Sequence, residues 1–284
     1  MITLGARMKQ YELMTEVVIP KGFPVAIRID GSSFSKWTKG LDKPFDGVLR
    51  EAMSRTAVDI CAKVPEVVWA YLQSDEVTFV VRSDLNYNSD PWHGFRAKKL
   101  DSLVASMFTA HFAQHAQDLE LYTRGNHRPV DRGPAFFDAR AYPLPPDEII
   151  NLMLWRQRDC QRNAVQAFGQ HYIGKKAIHG WSASRVLTEL GKIDKADLSY
   201  TDCYGTLIAI ERGIVKSRPT RRWVITEAFP FRYNDETCLL PSAPIGHYKR
   251  LIETIQREFG AVAPILLPRD FVLGKIEEDS EEAP

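Results

Sequence analysis

Asp30 closes an apolar run that alternates with polar residues, and Asp75, 45 residues downstream of Asp30, stands with Glu76 between two further apolar runs. Carboxylate oxygens suit hard divalent cations such as Mg²⁺, and like charges gathered without a cation repel one another. Two such ions about 3.5–4 Å apart stabilise both the attacking and the leaving oxygen of a phosphoryl transfer. Gly31 adds a backbone carbonyl that a partner can approach closely, because no Cβ stands in the way. The same residues also fit a plainer picture, a turn after Asp30 and a solvated hairpin tip at Asp75 and Glu76. Lys43, in Gly40-Leu41-Asp42-Lys43-Pro44, is either an ammonium for a triphosphate or a solvated loop lysine. Arg96 and Lys99 are spaced i,i+3 on one helix face and carry the same two readings.

The elements that must position these groups follow from periodicity. Residues 23–30 set Val25, Ile27 and Ile29 against Ala26, Arg28 and Asp30, a period of two that predicts a strand. Residues 46–63 place apolar side chains at helical spacing behind Asp46, a suitable cap. The runs 67–72 and 77–81 predict a hairpin with a four-residue tip, Gln73-Ser74-Asp75-Glu76. A helix over 94–115 and a short strand over 134–140 complete the order β-α-β-β-α-β. That order implies an α+β fold, a ferredoxin-like, palm-like antiparallel sheet with two helices on one face. If the first strand neighbours the first strand of the hairpin, about 5 Å away, the ends of the two bring Asp30 and Asp75 around one cation.

After Tyr142, Leu144-Pro145-Pro146-Asp147-Glu148 stops one element and starts a helix that reaches about Tyr172. Further helices are expected at 181–191 and 245–259, and strands at 206–211 and 222–226. The expected organisation is a catalytic domain over 1–142, a mixed α/β continuation with RNA-binding elements over 143–276, and an acidic tail over 277–284.

Length and composition narrow the class. With 284 residues, 44% hydrophobic and 26% charged, the chain is a folded protein of about two domains rather than a disordered or disulfide-stapled one. Its net charge of +1 conceals a basic body: without the tail acids Glu277, Glu278, Asp279, Glu281 and Glu282, 37 bases face 31 acids. This surplus suits a polyanionic partner. Cys61, Cys160, Cys203 and Cys238 are too widely spaced for a zinc knuckle, and no run of 18 apolar residues occurs, so a cytoplasmic protein with reduced thiols is expected. His111 and His115 are spaced i,i+4 but lack the context of a zinc helix, and Cys160 reads as core.

Five motifs in one order carry a resemblance: R-I-D-G-S-S-F at 28–34, K-P-F-D at 43–46, Q-S-D-E at 73–76, F-D-A-R at 137–140 and W-R-Q-R-D-C-Q-R-N at 155–163. Together the chain resembles the tRNA-His guanylyltransferase family, and most resembles its guanylyltransferase-like branch. The resemblance implies a polymerase-like palm that extends the 5′ end of tRNA in the 3′-to-5′ direction. It implies that Asp30, the Gly31 carbonyl and Asp75 hold two Mg²⁺ ions, with Glu76 beside them in the catalytic group. It places Ser32, Ser33, Phe34, Lys43, Asp46 and Ser74 at nucleotide contacts, with Arg96 and Lys99 at basic positions near the site. It further implies ATP and GTP as substrates, a 5′ phosphate activated before the incoming 3′-hydroxyl attacks it, and a homotetramer. Eukaryotic members carry His-Ile-Asn-Asn where this chain has Gln161-Arg162-Asn163-Ala164, and Arg-Lys-Gly where it has Cys203-Tyr204-Gly205. In these departures the chain is more similar to the bacterial, archaeal and viral guanylyltransferase-like proteins, and that resemblance implies template-dependent repair of 5′-truncated tRNAs.

Candidate RNA contacts in the second half are Arg156, Arg158, Arg162 and Asn163 on one helix, Lys175, Lys176 and His179 after it, and Lys216, Arg218, Arg221 and Arg222 beside Trp223. Solvated surface, with Trp223 in the core, is the alternative for each cluster. Two other functions fit the same pattern: a palm-type nucleotide cyclase and a non-catalytic RNA-binding module.

Overall fold

The computed structural model describes residues 2–227 except 83, 85–87, 89, 126–129, 147, 194–201, 203, 216 and 217; for 150, 154 and residues beyond 208 only the backbone is described. The helix expected over 245–259, the acidic tail and Lys216 lie outside the described residues. The chain divides into two compact units, Met1–Ile149 with Gly205–Glu227, and a second that includes Ile150–Tyr204.

The first unit holds helices α1 (Leu4–Leu13), α2 (Phe34–Trp37), α3 (Gly47–Lys63) and α4 (Ala97–Asp118). Its strands are β1 (Val25–Gly31), β2 (Val67–Gln73), β3 (Glu76–Val81), β4 (Phe137–Pro143), β5 (Thr206–Val215) and β6 (Arg218–Glu227). They form one sheet in the order β4-β1-β3-β2-β5-β6, and every neighbouring pair is antiparallel. The expected α+β arrangement of strands and helices is therefore present, and β5 and β6 extend it. These two strands are longer than the expected segments, and β5 pairs with β2 through Trp69↔Ala209 to Leu72↔Thr206.

Two local expectations are corrected. The neighbour of β1 is β3, the second strand of the hairpin, because the α3 crossover leaves a gap between β1 and β2 that the returning hairpin strand fills. The hairpin tip is also shorter than expected. Gln73 pairs with Glu76, so only Ser74 and Asp75 turn the chain, with Ser74 in the left-handed region at φ 51°.

The core lies between the sheet and two helices. Alternation along β1 and β3 sends Val25, Ile27, Ile29, Val77, Phe79 and Val81 to one face. Onto it α4 lays Leu100, Val104, Phe108, Phe112 and Ala116, a row repeating every four residues, and α3 adds Met53, Ala57 and Ile60. Burying a Phe such as Phe108 contributes about 2–3 kcal/mol. Neither α1 nor α2 was expected: α1 buries no residue, and α2 is a single turn.

In the second unit, α5 (Glu148–Gly169) runs into a π turn over Gln170–Gly174, and α6 (Ala183–Leu190) starts where the Ser182 hydroxyl accepts from the Arg185 N–H at 3.3 Å. Gly169 permits their close approach, since a Cβ there would lie 2.5 Å from Val186 Cγ1. Among the described residues, no helix is long and apolar enough to cross a membrane.

Candidate active site

Because β1 and β3 run antiparallel, with Ile29 opposite Val77, the C-terminal end of β1 arrives beside the hairpin tip. Asp75 lies directly against Gly31: a Cβ on that glycine would stand 2.8 Å from Asp75 Oδ2 and 2.5 Å from the Phe34 ring. Gly31 is thus required by close approach. Burial pushes the Asp75 carboxyl up, and the nearby Asp30 charge adds to the shift, while the Ser74 hydroxyl, donating at 3.0 Å, and the backbone N–H of Asp75 oppose it. Asp30 and Asp75 are therefore close enough to repel, and among the described residues no cationic side chain pairs with either. That electrostatic arrangement fits a divalent cation held by two carboxylates and a backbone carbonyl. No group of three His, Cys, Asp or Glu side chains arranged for a metal occurs among the described residues.

Glu76 accepts from Gln73 Nε2 at 3.3 Å, which holds it at the base of the tip. On the other side of β1, Asp30 stands opposite Asp138, an acid within the F-D-A-R motif whose place only the register reveals. Cross-strand partners share a face, so Asp138 lies beside Asp30. It makes a loose 3.6 Å contact with Arg140.

Beyond the end of β1 the chain borders a cavity of about 730 Å³, lined by residues that include Ser32, Ser33, Lys36, Trp37, Lys39, Arg132 and Phe136. The Ser32 N–H donates to the Phe136 carbonyl at 2.8 Å, and Ser33 caps α2 at φ 54°. Arg132 fixes the cavity wall by donating to the carbonyls of Trp37 (2.9 Å), Leu121 (2.9 Å), Lys39 (3.0 Å) and Arg124. Its guanidinium thus ties together two loops that the sequence separates by more than 90 residues.

The remaining nucleotide candidates divide. Phe34 is buried, packed on Trp37, Phe112 and Phe137 at ring-centroid distances of 5.0, 5.9 and 5.3 Å, so its ring belongs to the core. The Asp46 carboxylate is engaged as the cap of α3, accepting from Val48 (2.9 Å), Leu49 (3.0 Å) and Asp42 (3.1 Å) N–H groups and from Arg124 Nε (3.2 Å). Lys43 is exposed and does not line the cavity. Arg96 donates to Glu16 at 2.6 Å at the start of α4, and Lys99 is exposed in the first turn of that helix.

With this geometry in view, the comparisons are specific. Residues 5–145 match the family model described as tRNAHis guanylyltransferase. Over those residues the chain belongs to this family. The match contains Asp30, Gly31, Asp75, Glu76, Asp138 and the residues lining the cavity. An uncharacterised protein of Acanthamoeba polyphaga mimivirus is 28% identical over 259 residues, covering 82% of this chain and 86% of the viral protein. The tRNA(His) guanylyltransferase of Neurospora crassa is 29% identical over 197 residues, 68% of this chain and 64% of that enzyme. The chain spans about half the length of the Dictyostelium discoideum relative that it matches. Among solved structures, a bacterial tRNA(His) guanylyltransferase-like protein in complex with ATP superposes with a TM-score of 0.72 at 28% identity, covering 89% of this chain and 98% of the other. A complex with GTP gives 0.64 at 28% identity over 88% of this chain and 96% of the other. The tRNAHis guanylyltransferase family is one of nucleotidyltransferases acting on tRNA, and its solved members include both ATP and GTP complexes.

The second unit and the strands β5 and β6 lie beyond the family match, and there the RNA candidates fare unevenly. Asp159 collects Arg156 (2.5 Å), Arg162 (3.0 Å) and Asn163 (3.4 Å) on one face of α5. Arg156 is only 4% exposed and stacks over Trp155 at 4.2 Å, so it braces the helix and is withdrawn from the surface. Arg162, Lys175, Lys176 and His179 are exposed. Arg221 and Arg222 stand on β6 opposite Arg212 and Glu211, with their side chains and that of Trp223 outside the described residues. Cys160 is buried. His111 and His115 both meet Asp59 Oδ2, at 3.2 and 2.7 Å, joining α4 to α3.

Proposed function

We propose that this protein is a metal-dependent 3′-to-5′ nucleotidyltransferase that adds nucleotides to the 5′ end of tRNA after ATP or GTP activates the 5′ phosphate. The observation that carries the reading is the meeting of Asp30 and Asp75 across Gly31 at the end of β1, inside the stretch that matches the family. Asp30, Asp75 and the Gly31 carbonyl would hold two Mg²⁺ ions, which when bound neutralise phosphate charge and stabilise attacking and leaving oxygens. Ser74 orients the Asp75 carboxylate, and Gln73 steadies Glu76. Ser32 and Ser33 offer hydroxyls, and Lys36 and Lys39 ammonium groups, along the wall where a nucleotide's phosphates and base would lie. Lys43, Arg96 and Lys99 are proposed as further basic contacts for nucleotide or RNA; none of them lines that wall, and Arg96 is paired with Glu16. Arg162, Asn163, Lys175 and Lys176, with Arg221 and Arg222, are the proposed RNA contacts. Repair of 5′-truncated tRNA directed by the opposing strand, in the cytoplasm and by a homotetramer, is the physiological role that fits the departures at 161–164 and 203–205.

The test offers 5′-truncated, 5′-monophosphorylated tRNAs with labelled nucleotides. Wild type is expected to add nucleotides complementary to the opposing strand, and Asp30→Ala to lose at least about a thousandfold in addition at an unchanged melting temperature. RNA-independent cyclisation of ATP or GTP would replace this reading with the cyclase, and full addition by Asp30→Ala would remove the metal role.

A further inference from the structure

We propose that Phe136 is a nucleobase-stacking platform at the mouth of the cavity, an assignment that rests on the nucleotidyltransferase reading for the identity of its ligand. Phe136 lies between two buried residues, Ala135 and Phe137, yet is itself 60% exposed. Neighbouring residues in extended chain point to opposite sides, so seating Phe137 in the aromatic core turns the Phe136 ring outward. A large exposed aromatic is unremarkable alone, but this one lines the 730 Å³ cavity together with Lys36 and Lys39. Its backbone is pinned to the site: its carbonyl accepts from the Ser32 N–H at 2.8 Å, two residues beyond Asp30.

The chemistry of that lining is specific. The volume suits a small-molecule ligand the size of a nucleotide. An aromatic face with ammonium groups and hydroxyls nearby matches the division of a nucleotide into a flat apolar base and a charged phosphate chain. Trp37 is less available for this task, because its ring packs against Phe34 and its indole N–H donates to the Gly133 carbonyl at 2.8 Å. Arg132 is likewise committed to backbone carbonyls, and the Asp131 carboxylate partly offsets the cationic charge of the lining. Phe136 is therefore the ring left to meet a base. The base belongs either to a nucleoside triphosphate or to the 5′-terminal residue of the RNA, and the same ring chemistry serves both.

The experiment uses the full chain and four forms: wild type, Phe136→Ala, Phe136→Leu and Phe136→Trp. KM is measured separately for GTP, for ATP and for a 5′-monophosphorylated truncated tRNA, and tryptophan fluorescence of Phe136→Trp is titrated with each. Losing the ring is expected to raise KM about 5- to 100-fold for one ligand, equally in Ala and Leu, while Trp restores it and is quenched by that ligand. A rise confined to GTP or ATP assigns the triphosphate, and a rise confined to RNA assigns the terminal residue. Rescue by Leu, or KM values for all three ligands within twofold of wild type in Phe136→Ala, would overturn the stacking role. The fluorescence titration needs no turnover, so quenching in a protein that adds no nucleotide would leave the platform standing while the proposed reaction fails.

Discussion

Two carboxylates of the first unit, half-buried Asp75 at the hairpin tip and buried Asp46 at the start of α3, have opposite surroundings. At Asp46, burial pushes the carboxyl up, but Leu49 and Asp42 N–H groups and the Arg124 guanidinium outweigh it and hold the group below the ordinary aspartate value. At Asp75 the same burial dominates, Asp30 reinforces it, and the group sits above the ordinary value. A satisfied buried carboxylate is structural, because its charge is already matched where it lies. A half-buried carboxylate beside a second one is left unmatched, and the proposed divalent cation would match it. The contrast separates two residues of one type by what surrounds them.

The largest stability effect bearing on the contrast is expected at Gly31. In Gly31→Ala the new methyl meets the Phe34 ring at 2.5 Å and Asp75 Oδ2 at 2.8 Å, and the ring is held by Trp37 and Phe137. Overpacking of this kind costs about 1–3 kcal/mol. Thermal unfolding should show the loss, and nucleotide addition should fall more steeply than stability because Asp75 is displaced.

A smaller effect is expected from Asp46→Ala, which removes the α3 cap and leaves Arg124 with Asp42 alone. Loss of such a cap costs about 1–2 kcal/mol. Its signature lies in pH: because the folded pKa of Asp46 is depressed, its contribution is present above the ordinary value of 3.8 and is lost as pH falls through the folded pKa. The difference in melting temperature between wild type and Asp46→Ala should therefore shrink on acidification. Constancy of that difference down to strongly acid pH would show that the cap is not ionic.

How much of this was legible in the sequence follows the range of the interactions involved. The alternation through Asp30 and the runs around Asp75 mark strand ends, and sheet formation then brings the two acids together. Strand order is another matter, since a period of two fixes faces and not neighbours, and both hairpin strands are equally apolar. Asp46 as the cap of α3 is legible from its local spacing, but its ion pair with Arg124, 78 residues away, is announced by nothing local. The same holds for Arg132, whose four carbonyl partners come from segments on both sides of α4, and for β5, which joins the sheet from beyond the second unit. Asp138 and Phe136 lie in or beside a motif that is visible in the sequence, but their places opposite Asp30 and Ser32 need the register.

The cation role of Asp75 is tested most directly by the melting temperature as a function of Mg²⁺ and pH, in wild type and Asp75→Asn. A raised folded pKa makes the uncompensated charge increasingly costly as pH climbs above 3.8 and through the folded value, so metal-free wild type should lose stability across that window. Mg²⁺ should restore it above the window and do little below, and Asp75→Asn should lose most of both the pH penalty and the Mg²⁺ response. Equal Mg²⁺ responses in the two proteins at neutral pH would contradict the claim that Asp75 and Asp30 meet in order to hold a metal ion.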